Sequence, residues 1–135
     1  MLDKECIQSR GFRNTVTNDE ISGFQFDIRL MYYRGLWLSQ IRPISVKIDG
    51  VPIPQEDILW EIEGETYKQE DLEKIGDIQW NVLSPATIHV KKKGGLEEGY
   101  HELEVDHRFS SSYMPPAMDE VLSFGSHQRR LLLVS

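Results

Sequence analysis

Phe24-Gln25-Phe26-Asp27-Ile28-Arg29-Leu30-Met31-Tyr32 is the stretch whose reading decides the fold. Phe24, Phe26, Ile28, Leu30 and Tyr32 take alternate positions, and Gln25, Asp27, Arg29 and Met31 fill the gaps. A period of two sends the first set to one face of a strand and the second to the other, so the stretch reads as a strand half buried in a core. The pattern recurs. Ile44, Val46 and Ile48 alternate with Ser45, Lys47 and Asp49, and Ile58, Trp60 and Ile62 alternate with Glu61 and Glu63. Ile88 and Val90 alternate with Thr87, His89 and Lys91, and Leu103 and Val105 with Glu102, Glu104 and Asp106. Weaker strand candidates run from Cys6 to Arg10, Arg13 to Thr17, Asp77 to Trp80 and Arg130 to Val134. Asp49-Gly50 is a turn pair, and the prolines of Val51-Pro52-Ile53-Pro54 keep that segment out of a sheet interior.

One helix is expected. Thr66 followed by Gln69 fits a capping box, which predicts about two turns over Lys68 to Ile75, stopped by Gly76. So short a helix is marginal alone and is expected as a connection packed on a sheet. Many strands at short intervals predict an all-β fold, an antiparallel β-sandwich forming a single domain over residues 1–135. A local cue favours an immunoglobulin-like version. Leu96 to Val105 resembles the corner in which a tyrosine ties a late strand back to the preceding loop. Tyr100 or His101 is the candidate for that tie, and parity favours His101, which shares a face with Leu103 and Val105.

Composition bounds the function. With 135 residues, 39% hydrophobic and 27% charged, the chain is globular. Its net charge of -7, from 15 Lys and Arg against 22 Asp and Glu, argues against nucleic acid as a partner. A lone cysteine, Cys6, points to a reducing compartment. Met1-Leu2-Asp3-Lys4-Glu5 lacks the order of a signal peptide, and no apolar run is long enough for a membrane helix. A cytoplasmic location without membrane attachment is expected.

Chemistry-bearing motifs are sparse. No nucleophile elbow, phosphate loop or dinucleotide fingerprint occurs, so no catalytic and no cofactor-binding residue is assigned. His101 and His107 lie about 20 Å apart along one strand at about 3.4 Å per residue, too far to share a metal, and no metal ligand is assigned. The Glu102, Glu104, Asp106 row reads as a solvated face. Lys91-Lys92-Lys93 reads as a basic turn that keeps an edge strand soluble. Two segments carry more aromatic and sulfur side chain than one strand buries: Met31 to Leu38, and the proline-stiffened Ser110 to Met118. Tyr32, Tyr33, Arg34, Trp37, Tyr113 and Met114 are therefore the candidate partner-interface residues, since these residue types are enriched at protein interfaces. The competing reading has Trp37 and Tyr113 capping the ends of the core.

Taken in order, Cys6, Ser9-Arg10-Gly11-Phe12-Arg13-Asn14, Gly23-Phe24-Gln25 and Tyr32-Tyr33-Arg34-Gly35 form a pattern. Asp49-Gly50, Lys91-Lys92-Lys93-Gly94-Gly95-Leu96 and Ser112-Tyr113-Met114-Pro115 continue it. The run resembles the small β subunit of bacterial C-glycoside deglycosidases over nearly the whole chain. The resemblance implies a hetero-oligomer with a larger, barrel-fold α subunit that holds a divalent metal, typically manganese, and the catalytic histidine. It implies cleavage of the carbon–carbon bond between a 3-oxo sugar and a flavonoid-type aglycone. This chain is expected to stabilise the α subunit and to carry no cofactor. Two readings of other classes stay open. One is a stand-alone carbohydrate-binding sandwich stacking sugars on Trp37 or Trp80. The other is a small enzyme centred on His101 and the Glu102 and Glu104 face.

Overall fold

The computed structural model describes residues 6–30, 36–38, 41–72, 74–75, 78–80, 84–110 and 121–133. In chain order the elements are β1 (Arg13–Thr17), β2 (Glu20–Ile28), β3 (Leu36–Trp37), β4 (Ile41–Ile48), β5 (Val51–Pro52), β6 (Ile58–Ile62) and β7 (Glu65–Lys68). They continue with α1 (Gln69–Leu72), β8 (Gln79–Trp80), β9 (Ala86–Lys91), β10 (Gly99–Ser110) and β11 (Val121–Leu133). One sheet has the order β1-β2-β9-β6-β7, the second β11-β10-β4-β5, and β3 pairs with β8. Every pairing is antiparallel.

The alternating residues supply the core. Phe24, Phe26, Ile28 and Leu30 are fully buried, and so are Ile44, Trp60, Ile88, Leu103 and Val105 from the other alternating strands. Both large sheets contribute to this one core. Three hairpins close through two-residue turns, Asn18-Asp19, Asp49-Gly50 and Glu63-Gly64. Both residues of each turn have positive φ, for example 51° at Asp49 and 82° at Gly50, the geometry that follows the twist of a hairpin. Among the described residues, the Val51-Pro52 strand pairs with β4 alone, at the sheet edge.

The segment expected as a first strand makes one bridge. Ile7 lies opposite Ile28, the Gln8 N–H donates to the Asp27 carbonyl at 2.9 Å and the Arg29 N–H to the Cys6 carbonyl at 2.8 Å. From the other sheet, the Arg129 guanidinium donates to the Ile7 carbonyl at 2.8 Å. Residues 6–8 and β1 therefore share one flank of β2.

Three expectations are corrected. The helix is a single turn, Gln69–Leu72, and Lys68 is the last residue of β7. Thr66 is an exposed strand residue paired with Glu61, so it caps nothing, and Gln69 is buried. The Gln69 Oε1 accepts from the Ile44 N–H at 2.8 Å and from the Trp60 indole N–H at 2.9 Å. Trp80 is no sugar platform: it is fully buried, edge-to-face on Trp60, with its indole N–H on the Ser84 carbonyl at 2.8 Å. Lys91 ends the central strand β9, so Lys91 to Lys93 guard no sheet edge. The strand expected over Arg130 to Val134 is present through Leu133 as the end of the longer β11, and Val134 lies outside the described residues.

Candidate partner surface

Tyr32, Tyr33, Arg34, Tyr113 and Met114 lie outside the described residues. Trp37 is described by its backbone, which pairs with Gln79 in β3–β8, and its side chain lies outside the description. Segment 31–35 follows the β2 region and segment 111–120 joins β10 to β11. Two contacts between the sheets give β2 and β10 a common sense: Phe12, beside Phe24, packs on His101, and Arg129, opposite Leu103, reaches the carbonyl of Ile7, opposite Ile28. The chain thus leaves both strands toward the same side.

The outer face of the five-stranded sheet carries paired polar groups. His89 on β9 and Glu61 on β6 meet through Nε2 and Oε1 at 2.9 Å. The Thr87 hydroxyl donates to Asp27 at 2.7 Å, and burial raises the Asp27 pKa against the pull of that bond. These groups border or adjoin an open depression of about 860 Å³ lined by Arg13, Gln25, Leu59, Glu61, Thr66 and His89. A surface whose charges are already partnered can be covered at lower desolvation cost than one with isolated charges. The signal for this pair was present as outward parity at 61 and 89, but the adjacency of β6 and β9 is not written locally.

The outer face of the second sheet carries Tyr100, 65% exposed, directly opposite Leu132 in the β10–β11 ladder. The Arg130 guanidinium carbon stands 5.3 Å from the Tyr100 ring centre. Tyr and Arg are the side chains that anchor interfaces, and sequence reasoning assigned neither here.

His101 sits at the corner between the sheets. Its Nε2 meets the Glu97 carbonyl at 2.7 Å and its Nδ1 the Asp49 Oδ2 at 2.6 Å. The tie to the preceding loop expected of His101 rather than Tyr100 is therefore present. Because both ring nitrogens are engaged and the ring packs on Phe12, His101 does not join Glu102 and Glu104 in a reactive group. Among the described residues, no group of three or more His, Cys, Asp and Glu side chains could hold a metal ion. The Cys6 thiol is buried and donates weakly to the Arg29 carbonyl, and burial pushes its pKa up to about 12.

Comparison with known proteins decides the family. A profile described as the C-glycoside deglycosidase beta subunit matches residues 2–113. The chain belongs to the C-glycoside deglycosidase β-subunit family. Within it, the chain is 43% identical to the C-glycoside deglycosidase beta subunit of Eubacterium cellulosolvens, over 98% of this chain and all of that protein. It is 30% identical to the protein of that name from Arthrobacter globiformis, over 57% of this chain and 58% of the relative. It is 28% identical to the 3'-dehydrocarminate deglycosidase beta subunit of a Microbacterium species, over 88% of this chain and 89% of the relative. As a β subunit of this family, the chain has its place in a hetero-oligomeric enzyme.

Proposed function

We propose that this chain is the non-catalytic β subunit of a cytoplasmic, bacterial C-glycoside deglycosidase built from two kinds of subunit. Its task is to hold a larger barrel-fold α subunit in active form while that partner cleaves the carbon–carbon bond between a 3-oxo sugar and a flavonoid-type aglycone. The observation that carries this reading is the 43% identity spanning the whole of the Eubacterium cellulosolvens β subunit. The name of the Microbacterium relative includes a 3'-dehydro substrate, which supports an oxidised sugar. A ketone acidifies the neighbouring carbon–hydrogen bond, so a positioned base that takes this proton can form a carbon–carbon double bond in the sugar as the bond to the aromatic ring breaks, the released ring carbon taking up a proton. The base and the divalent metal, manganese in our reading, are assigned to the α subunit.

The two antiparallel sheets read as an immunoglobulin-like sandwich, supported by the His101 tie to Glu97. We assign the contact with the α subunit to Tyr32, Tyr33, Arg34, Trp37, Tyr113 and Met114. Supporting this choice, the chain leaves β2 and β10 toward one side of the fold just before segments 31–35 and 111–120. The carbohydrate-binding alternative loses Trp60 and Trp80, both fully buried. Co-expression with a candidate barrel-fold α subunit tests the proposal. Turnover of a 3-oxo-C-glycoside is expected from the pair and not from either chain alone. Turnover or sugar binding by this chain by itself would overturn it.

A further inference from the structure

Two oxygens face the two ring nitrogens of His101. The Glu97 carbonyl can only accept, and the Asp49 carboxylate, when ionised, can only accept. A neutral imidazole has a single N–H and satisfies one of them. Both contacts are made together only by the imidazolium. Asp49 is held for this role: its Oδ1 accepts from the Glu102 N–H at 2.8 Å, and its own N–H donates to the Glu102 carbonyl at 2.8 Å.

The location gives the pair its consequence. Residues 92–98 carry the chain from β9 in one sheet to β10 in the other. On the first sheet this crossover is fastened by a group that does not titrate: Asn14 donates to the Leu96 carbonyl and accepts from the Leu96 N–H, each at 2.9 Å. On the second it is fastened by His101, between Glu97 and the β4–β5 turn. The charged groups acting on His101 are Asp49 from that turn and Glu97 from the crossover, and its contact with β1's approach is the apolar Phe12.

We propose that His101 is a proton-operated latch, closed as the imidazolium, that fastens the β9–β10 crossover to the β4–β5 turn and opens when the ring loses a proton. Burial works against the charge on His101, but the Glu97 carbonyl and Asp49 outweigh it and raise the pKa above its ordinary 6.5. Asp49 is shifted the other way, below its ordinary 3.8, by the His101 bond and then by the Glu102 N–H. The His101 contribution is therefore complete below 6.5 and fades as pH rises through the folded value. The Asp49 contribution is complete above 3.8 and fades as pH falls through its own folded value. The latch is tightest in the mildly acidic window between them.

The full chain tests this in two ways. Nitrogen chemical shifts of the His101 ring are expected to show both nitrogens protonated at about pH 6, with titration at higher pH than in the unfolded chain. A neutral tautomer at that pH overturns the latch. Hydrogen-exchange protection, corrected for intrinsic rate, is then compared at about pH 6 and about pH 9. Protection of the Glu102 amide is expected to fall while that of Leu96, held by Asn14, stays, and His101→Gln is expected to remove the pH dependence at Glu102. Equal pH dependence in wild type and His101→Gln overturns the proposal. If His101→Gln does not fold, Asp49→Asn keeps an acceptor for the Glu102 N–H and removes the charge. His101 is then expected to titrate at lower pH than in wild type, and an unchanged His101 titration overturns the latch.

Discussion

The side chain of Gln69 takes the place of a β-strand beside Ile44. Its Oε1 receives the Ile44 N–H at 2.8 Å and its Nε2 donates to the Ile44 carbonyl at 3.4 Å. Gln55 adds a second donor to that carbonyl at 2.8 Å and accepts a short bond from the Gln69 amide. The need arises because β5 pairs only with Lys47 and Ile48 of β4: the Val46 carbonyl still receives the Ile53 N–H at 2.9 Å on that side, but Ile44, whose backbone groups face the same way two residues earlier, lies beyond the reach of that strand. Buried backbone groups must be satisfied, and α1 exists to deliver the amide that does it.

Gln69→Leu leaves the Ile44 and Trp60 N–H groups buried without their acceptor. A loss of about 3 kcal/mol is expected, since each unsatisfied buried group costs about 1–3 kcal/mol. Urea unfolding of the isolated chain measures it, and a change within about 0.5 kcal/mol would contradict the role assigned to Gln69.

Gly23 is required for its lack of a side chain. A Cβ there would stand 1.9 Å from the Val90 carbonyl oxygen, inside the β2–β9 ladder. Gly23→Ala must shift backbone rather than a flexible side chain, with an expected cost of about 2–3 kcal/mol. Gly64→Ala, where a Cβ meets nothing within 4 Å, reports only the strain of φ +84° and should cost less in the same denaturant titration.

Trp80→Ala distinguishes a core tryptophan from a sugar platform. Removing a fully buried indole that packs on Trp60 should cost about 3–5 kcal/mol of stability. A variant that kept its melting temperature while losing affinity for a glycoside would reverse this assignment.

The Cys6 thiol should resist thiol reagents. With a pKa of about 12 and 1% exposure, almost none of it is thiolate near neutral pH. Labelling by a disulfide reagent at about pH 8 is expected only at the rate of global unfolding, with full reaction in denaturant. Rapid labelling of the native chain would refute the buried placement.

Trp37→Ala and Tyr113→Ala test the assigned partner contact. Each should leave the melting temperature of the isolated chain nearly unchanged and weaken association with the α subunit by about 2 kcal/mol, about thirtyfold. Size exclusion of the co-expressed pair at micromolar concentration reads the result. Unchanged complex formation in both variants would remove these residues from the interface.

The alternating strands were legible in the sequence because alternation is a local property: a side chain's face follows from its parity, whatever strand lies beside it. Phe24, Phe26, Ile28 and Leu30 had to share a face, and the Asp49-Gly50 turn had to reverse the chain. His101 as the corner residue followed from the same parity, and the family from the ordered run of short motifs. What required the tertiary structure was adjacency. Glu61 meets His89 across 28 residues, His101 meets Asp49 across 52, and Asn14 meets Leu96 across 82. No local pattern encodes which strands become neighbours, because that choice minimises the free energy of the whole core at once. Gln69 shows the same limit in reverse. Its spacing from Thr66 resembles a helix start, but the Ile44 backbone, 25 residues away, together with the Trp60 indole on β6, drew its amide into the core and left the helix a single turn.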